Sequence, residues 1–222
     1  MHNVFENLDR ILKRIQGVEH CALMLDFDGT ISPFASKPEA AALSTKARNI
    51  LFSLRRRLPI AIISGRSLAV LRKKVGMSGI MYVGSHGLEW AIKSSRGKIP
   101  VSARSLRALR LIKSGAVRLV KKYPGMIIED KPFALSLHCR MVKSALRQSF
   151  FDDVRALASP IVIEEDLKIT LLDIAIEFRP NVPWNKGRAA QFILQHLHKA
   201  GRRCMPIYIG DEPSDEDAFK EL

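Results

Sequence analysis

The chain has 222 residues, which is long enough for one large domain or for a core domain that carries a smaller one. Its hydrophobic fraction of 47% is that of a globular protein, and no segment reaches the roughly 20 uninterrupted apolar residues of a membrane-spanning helix. The formal net charge of +14 leaves nucleic acid, an anionic membrane surface and an anionic small molecule open as partners.

The N-terminus and the cysteines favour the cytoplasm. Glu6 and Asp9 stand among the first residues, so the basic and then apolar pattern of a signal peptide is absent. Cys21, Cys139 and Cys204 are odd in number, widely spaced and without a C-x-x-C pair, so we expect neither disulfides nor a zinc site.

Four short apolar runs without polar alternation predict strands that are buried on both faces of a parallel sheet. They are CALMLDF at 21–27, LPIAIIS at 58–64, GIMYVG at 79–84 and MPIYIG at 205–210. Segments with helical periodicity accompany them, namely TKARNILFSLRRR at 45–57, SLAVLRKKVG at 67–76 and KGRAAQFILQHLHKAG at 186–201. This alternation predicts an α/β fold with a Rossmann-like, doubly wound parallel sheet.

The middle of the chain has a different pattern. A basic helical segment at 102–125 precedes two extended runs within 126–140, a helix around 143–159, and two more extended runs at 160–166 and 168–180. Hairpin-type strands flanked by helices predict a small α+β domain inserted into the core. We therefore predict a catalytic core of residues 1–97 and 180–222, and an α+β cap domain of residues 98–179.

Polar and glycine residues follow each of the four core strands. Because open parallel sheets bind ligands at the carboxyl ends of their strands, we expect these residues to meet at one site. Asp26 follows the first strand and can attack a phosphoryl group as a nucleophile when cations hold that group in line. Asp28, two residues on, can protonate the leaving oxygen and later deprotonate the hydrolytic water.

The other strand ends supply groups that stabilise negative charge. Ser64 can donate a hydrogen bond to a phosphoryl oxygen, and Lys186, at the start of a helix, can add a positive charge. Asp211 and Asp215 offer oxygen ligands of the kind that Mg²⁺ prefers, alongside the two acids of the first strand end. The sequence therefore predicts a magnesium site formed by Asp26, Asp28, Asp211 and Asp215.

Several motifs carry a resemblance to a known family. DFDGT at 26–30, SGR at 64–66, a lysine before glycine at 186–187 and GDEPSD at 210–215 resemble, in this order, the aspartate-nucleophile phosphatases of the haloacid dehalogenase superfamily. Within that superfamily, GSHGLE at 84–89, IEDK at 128–131, HCR at 138–140, EFRP at 177–180 and NKG at 185–187 are similar to trehalose-6-phosphate phosphatases. The resemblance covers nearly the whole chain.

The resemblance implies a magnesium-dependent hydrolysis of trehalose 6-phosphate to trehalose and phosphate, under a mobile cap. It implies that Asp26 is the nucleophile, that Asp28 is the acid and base, and that Ser64 and Lys186 bind phosphate. It further implies that Asp211 binds the metal with support from Asp215. In the cap, Glu129, Lys131 and Glu177 match positions that hold sugar hydroxyls, and Arg66 and His86 lie in matching motifs that suggest substrate binding.

Four alternatives stay open on the residues. The charged cap residues could form cross-strand salt bridges on a solvated face, and Ser64 could be a helix N-cap. A phosphatase of the same superfamily could act on sucrose phosphate or mannosyl-phosphoglycerate, because substrate choice depends on the cap. Finally, Arg104, Arg107, Arg110 and Lys113 recur every three residues and could bind nucleic acid, but no aromatic cluster accompanies them.

Two departures from the family pattern are visible near the end. Glu212 and Ser214 stand where the family usually has Asp and Thr. Relatives continue after the position of Leu222 with a further helix and strand, so we expect either a truncated chain or a small core sheet.

For partners we predict a sugar phosphate substrate, no nucleic acid, no membrane, and a monomer.

Overall fold

The computed structural model describes residues 5–33, 35, 38–162 and 167–222. The chain forms two compact units, the first comprising Met1–Lys98 and Trp184–Leu222, and the second comprising Ile99–Pro183. Among the described residues, no helix is both long enough and apolar enough to cross a membrane.

The helices and strands of the chain are as follows. The first unit contains α1 (Leu8–Gln16), β1 (Cys21–Leu25), α2 (Thr45–Leu54), β2 (Ile60–Ile63), α3 (Leu68–Val75), β3 (Met81–Gly84), β4 (Glu89–Ile92) and β5 (Ser95–Lys98). The second unit contains α4 (Ala103–Lys122), β6 (Ile127–Lys131), β7 (Ala134–His138), α5 (Arg147–Ala158), β8 (Leu167–Leu172) and β9 (Ala175–Pro180). The chain then returns to the first unit with α6 (Lys186–Lys199), β10 (Met205–Ile209) and α7 (Glu216–Glu221).

The sheet of the first unit has the strand order β10-β1-β2-β3-β4-β5. The four strands predicted from apolar runs are parallel to one another. Alternate residues of β1 and β2 pack on opposite faces: Leu25 and Ile62 contact the α2 and α3 side, whereas Met24 and Ile63 contact the α6 side. Helices on both faces confirm the predicted α/β fold.

Side chains that cap helix N-termini define where several helices begin. Ser44, Ser67, Ser102 and Asn185 each accept a hydrogen bond from the backbone N–H three residues on, at the starts of α2, α3, α4 and α6. Because the cap of α3 is Ser67, Ser64 is not the N-cap of that helix.

One part of the core sheet was not predicted. β4 pairs antiparallel with β3, and β5 pairs antiparallel with β4, so a hairpin extends an otherwise parallel sheet. β5 has the sequence SRGK and lies at the sheet edge, largely exposed, so it lacks the apolar run that marks the buried strands.

The second unit has a four-stranded antiparallel sheet in the order β6-β7-β9-β8. One face, with Leu135, Leu137, Ile176 and Phe178, packs against residues of α4 and α5 such as Ile112 and Phe150. The sequence predicted one strand at 160–166 and one at 168–180, and this prediction was wrong for the residues that the structure describes. The second run is a hairpin of β8 and β9, residues 160–162 are in a turn, and residues 163–166 lie outside the described residues.

Candidate active site

Asp26 is the first residue after β1 and is 1% exposed. Its backbone N–H donates to the carbonyl of Ile209, 2.9 Å away, which holds the ends of β1 and β10 together. Its Oδ1 lies 3.1 Å from Nζ of Lys186. Within the described part of the chain, its Oδ2 is buried without a hydrogen-bond partner. Since buried polar atoms are rarely left unpaired, this oxygen is a candidate for a reacting atom or a metal ligand.

Lys186 is the first residue of α6, and its side chain is fully buried. Besides Asp26, its Nζ contacts Asp215 Oδ1 at 2.8 Å and Glu212 Oε2 at 3.5 Å. Burial alone would lower the pKa of Lys186, but the charges of Asp26, Glu212 and Asp215 outweigh it and raise the pKa. Lys186 is therefore a buried ammonium group that stays charged.

Burial raises the pKa of Asp26 from 3.8 to about 7, against the opposing charge of Lys186. The negative charges of Glu212 and Asp215 contribute to the same rise. Three carboxylates thus surround one ammonium group, so the cluster has an excess of negative charge when all of its members are ionised. A divalent cation would compensate this excess.

Asp28 and Arg66 form a bidentate ion pair. Nε of Arg66 lies 2.7 Å from Oδ2 of Asp28, and Nη2 of Arg66 lies 2.7 Å from Oδ1. The guanidinium carbon also lies 5.5 Å from the centre of the Phe27 ring. Arg66 therefore engages both carboxylate oxygens of Asp28.

The loops after β2 and β3 are joined by backbone hydrogen bonds. The N–H of His86 donates to the carbonyl of Ser64 at 3.0 Å, and the N–H of Ser85 donates to the carbonyl of Arg66 at 2.7 Å. Ser85 and His86 have φ angles of 52° and 54°, a conformation that non-glycine residues seldom adopt. A Cβ on Gly65 would lie 2.5 Å from Nε2 of His86, so only glycine allows the buried histidine ring to lie against this backbone.

Ser64 is 1% exposed at the end of β2. Its Oγ accepts a hydrogen bond from the N–H of Arg66 at 3.2 Å. A hydroxyl can accept and donate at the same time, so this contact is compatible with donation to a phosphoryl oxygen.

The end of β10 provides the remaining acids. Oδ1 of Asp211 accepts a hydrogen bond from Thr30 Oγ1 at 2.5 Å. Asp215 is fully buried, and its oxygens accept hydrogen bonds from Lys186, from the Tyr208 hydroxyl at 2.6 Å and from the N–H of Glu212 at 2.9 Å. Asp215 therefore orients Lys186 and closes the turn before α7.

The four acids predicted to bind magnesium all have contacts with other protein groups, and their metal binding stays a prediction. Both oxygens of Asp28 and both oxygens of Asp215 accept hydrogen bonds. No group of three or more His, Cys, Asp or Glu side chains that could hold a metal is found in the described ranges. Mg²⁺, however, usually needs only one or two carboxylates, with waters and substrate phosphate as its other ligands. The unpaired Oδ2 of Asp26, the oxygen donors of Asp211 and the excess negative charge fit such an ion.

In the second unit, one row of polar side chains crosses the sheet. Glu129, Ser136, Glu177 and Thr170 are aligned on neighbouring strands, opposite the face that packs on α4 and α5. Lys131 Nζ lies 3.1 Å from Glu177 Oε2 and 3.4 Å from Glu129 Oε2. Ser136 Oγ donates to Glu177 Oε2 at 2.9 Å. The three residues predicted to bind sugar hydroxyls are therefore brought together in one ion-paired cluster.

Two further side chains, which motif matching did not assign to the site, join this cluster. Nε2 of His138 lies 2.9 Å from Glu129 Oε2, and Nε of Arg179 lies 3.3 Å from Glu177 Oε1. Burial alone would raise the pKa of Glu129, but the hydrogen bond to His138 and the charge of Lys131 outweigh it and lower the pKa. For Lys131, burial opposes and the two glutamates produce a net rise of the pKa. The ionised forms of Glu129 and Lys131 are thus stabilised by their partners in this cluster.

Two residues of the core site, Thr30 and Tyr208, were not predicted. Thr30 lies in the DFDGT motif and could have been noticed there. Glu212 was noted only as a departure from the family pattern, and the structure places it 3.5 Å from Lys186. Tyr208 had no signal beyond its place in an apolar strand, because its contact with Asp215 depends on the turn after β10.

The chain is similar in sequence to trehalose-phosphate phosphatases over most of its length. The sequence model of the trehalose-phosphatase family matches residues 24–222. A trehalose-phosphate phosphatase of Mycobacterium tuberculosis is 37% identical over 205 residues, which cover 89% of this chain and 50% of that protein. A probable trehalose-phosphate phosphatase 4 of Oryza sativa subsp. japonica is 35% identical over 206 residues, with coverages of 90% and 55%. The chain thus spans about half the length of the curated relatives it matches.

Solved structures show the same fold. The C-terminal domain of trehalose-6-phosphate phosphatase from C. albicans superposes with a TM-score of 0.81 at 25% identity, over 97% of this chain and 77% of that one. A haloacid dehalogenase-like hydrolase from B. subtilis superposes with a TM-score of 0.58 at 12% identity, over 90% and 86% of the two chains. At 12% identity, the second likeness concerns the fold alone.

Proposed function

The chain belongs to the trehalose-phosphatase family, and on that premise we propose that it hydrolyses trehalose 6-phosphate to trehalose and phosphate with the help of Mg²⁺. The observation that carries the proposal is the position of Asp26. Its carboxylate is buried at the end of a central strand, 3.1 Å from a buried lysine, and one of its oxygens is unpaired among the described residues.

In the first proposed step, the carboxylate of Asp26 attacks phosphorus. The bond between phosphorus and the sugar oxygen breaks, and the electron pair leaves with that oxygen, which takes a proton from the carboxyl group of Asp28. Lys186 and the hydroxyl of Ser64 stabilise negative charge on the phosphoryl oxygens. Asp26 then carries the phosphoryl group as an aspartyl phosphate.

In the second proposed step, water hydrolyses the aspartyl phosphate. Asp28, now ionised, accepts a proton from the water whose oxygen attacks phosphorus. The phosphorus–oxygen bond to Asp26 breaks, and its electron pair restores the Asp26 carboxylate. Asp28 is protonated again and ready for the next substrate.

The proposed metal ligands are Asp26 and Asp211. Both oxygens of Asp28 and both oxygens of Asp215 accept hydrogen bonds from the protein, whereas Oδ2 of Asp26 accepts none among the described residues. When bound, Mg²⁺ supplies positive charge that reduces the repulsion between an anionic nucleophile and an anionic phosphate. Oxygen donors and an excess of negative charge near Asp26 support this choice of metal.

For substrate binding, we propose that Glu129, Lys131 and Glu177 hold sugar hydroxyls. Charged side chains on one sheet face offer both donors and acceptors, as a polyol requires. Substrate contacts of Arg66 and His86, a cytoplasmic location and a monomeric state stay predictions from the sequence.

Phosphate release from a panel of sugar phosphates, with Mg²⁺ or with a chelator, tests the proposal. We expect release from trehalose 6-phosphate in preference to sucrose phosphate and mannosyl-phosphoglycerate, and only with Mg²⁺. Asp26→Asn should abolish turnover, whereas Asp9→Asn, at an exposed aspartate of α1, should not change it. Retained turnover in Asp26→Asn would refute the nucleophile, and a preference for another sugar phosphate would refute the substrate.

A further inference from the structure

The ion pair between Arg66 and Asp28 has the geometry of a rigid clamp. Two parallel N–H···O contacts of 2.7 Å join the guanidinium edge to both carboxylate oxygens. The arginine side chain is 9% exposed and the aspartate side chain is 25% exposed, so the pair is partly shielded from water. Such a fork fixes the plane of the carboxylate as well as its position.

Arg66 is itself held in place at both its backbone and its side chain. Its N–H donates to Ser64 Oγ, and its carbonyl accepts from the N–H of Ser85. The guanidinium group lies over the ring of Phe27, the residue between the two acids. The end of β2 and the loop after β3 thus determine where the guanidinium group points, and through it where Asp28 points.

A general acid acts only when its carboxyl group is aimed at the leaving oxygen. A carboxylate has about four acceptor positions, of which the fork of Arg66 uses two, so each oxygen keeps a position for a further contact. The fork uses the edge of the guanidinium that carries Nε and Nη2, so this edge is committed to Asp28 and not to a phosphate. We infer that Arg66 is the positioning residue for Asp28, a role different from the substrate binding that its motif suggests. This inference rests on the proposed function.

If Arg66 positions the general acid, the effect of its substitution on kcat/KM should depend on the leaving group. If Arg66 binds substrate, the effect should be the same for all leaving groups. Phenyl phosphate and 4-nitrophenyl phosphate are small and similar in shape, but the nitrophenolate leaves readily without a proton, whereas phenolate benefits more from one. If Arg66 aims the general acid, Arg66→Lys should lower kcat/KM for phenyl phosphate at least about tenfold more than for 4-nitrophenyl phosphate. The ratio kcat/KM is the appropriate quantity, because it includes only the steps up to the departure of the alcohol and not the later hydrolysis.

Asp28→Asn provides the reference. It should show the same selective loss on phenyl phosphate and on trehalose 6-phosphate, and adding Arg66→Lys to it should cause little further loss, since both substitutions remove one function. Arg66→Gln, which keeps a single donor for the carboxylate, is a second variant of the same kind. Arg72→Lys, at an exposed arginine of α3, is the matched control and should leave all three reactions unchanged.

The result that overturns the inference is a loss in the Arg66 variants that is equal for the two aryl phosphates. A rise of KM for every substrate, together with weaker inhibition by inorganic phosphate and multiplicative loss in the double variant, would assign Arg66 to substrate binding. Absence of phosphate release by the unmodified protein would instead count against the proposed function, so the two failures are distinguishable.

Discussion

Asp26→Asn should stabilise the magnesium-free protein at alkaline pH. Burial raises the pKa of Asp26 from 3.8 to about 7, so the folded protein binds this proton more tightly than the unfolded chain does. Below pH 3.8, the pKa of an ordinary aspartate, Asp26 is protonated in both the folded and the unfolded state and does not change stability. As the pH rises from 3.8 to about 7, the free energy of unfolding falls. Above about pH 7, the protein has lost the full amount of stability that ionisation of Asp26 costs. Asparagine, which is neutral and of the same shape as the protonated acid, removes this loss.

The magnitude follows from the two pKa values. At about 1.4 kcal/mol for each tenfold change in an equilibrium constant, the difference between 3.8 and about 7 corresponds to about 4 kcal/mol at alkaline pH. At about pH 5, only the interval from pH 3.8 to about pH 5 contributes, and the same arithmetic gives a loss of stability of about 2 kcal/mol. The stability gap between variant and unmodified protein should therefore widen as the pH rises.

Urea unfolding with a chelator present, at about pH 5 and about pH 8.5, measures this gap. The control is Asp9→Asn, an exposed position at which the change should stay within about 0.5 kcal/mol at both values. A gap that is the same at both pH values, or a variant less stable than the unmodified protein at the higher one, would refute the reasoning. It would mean that Lys186 compensates the charge of Asp26 more completely than burial opposes it.

Three further outcomes are expected. Mg²⁺ should raise the melting temperature of the unmodified protein more than that of Asp26→Asn, because a cation bound at that carboxylate stabilises only the folded state; equal shifts would contradict metal binding there. Lys186→Ala should lower the free energy of unfolding by about 3 kcal/mol, because it leaves buried carboxylates unpaired. The control Lys46→Ala, at an exposed site of α2, should have little effect. If Lys186→Ala lost no more stability than this control, the result would contradict the buried ion pair. Alanine at Glu129, Lys131 or Glu177 should reduce kcat/KM for trehalose 6-phosphate about tenfold or more beyond the loss for phenyl phosphate, and equal losses would mean that these residues only hold their sheet together.

Some elements were predictable from the sequence because their surroundings are uniform. Strands buried on both faces need apolar residues at every position, which is why β2 and β3 are visible as apolar runs. β10 is also an apolar run, but it lies at the sheet edge and its residues are only partly buried or exposed, so the predicted burial on both faces was wrong for this strand. The hairpin of β4 and β5 was missed because β5 is an exposed edge strand that consists of the residues SRGK. The division of 160–180 into strands was wrong because the turn between β8 and β9, at Asp173 and Ile174, has no glycine or proline.

The candidate nucleophile was predictable for the same reason, since an acid directly after a buried run must lie at the strand end. Its partners were not. Thr30 and Asp211 are 181 positions apart in the chain, and Arg66 and Asp28 are 38 apart, yet each pair is in hydrogen-bond contact. The sequence predicted Asp28 and Asp215 as metal ligands from their residue type, and this stays a prediction. It gave no sign that Arg66 contacts Asp28 or that Lys186 contacts Asp215.

The α/β pattern, the strand ends at which the acids lie and the family of the motifs are all visible in the amino-acid sequence, because each depends on residue types in short segments. The pairing of each cation with its carboxylate, and the oxygen of Asp26 that is left unpaired among the described residues, became visible only in the folded chain. Hydrogen bonds and ion pairs act over about 3 Å and depend on direction, so they require the side-chain positions that packing of distant segments creates.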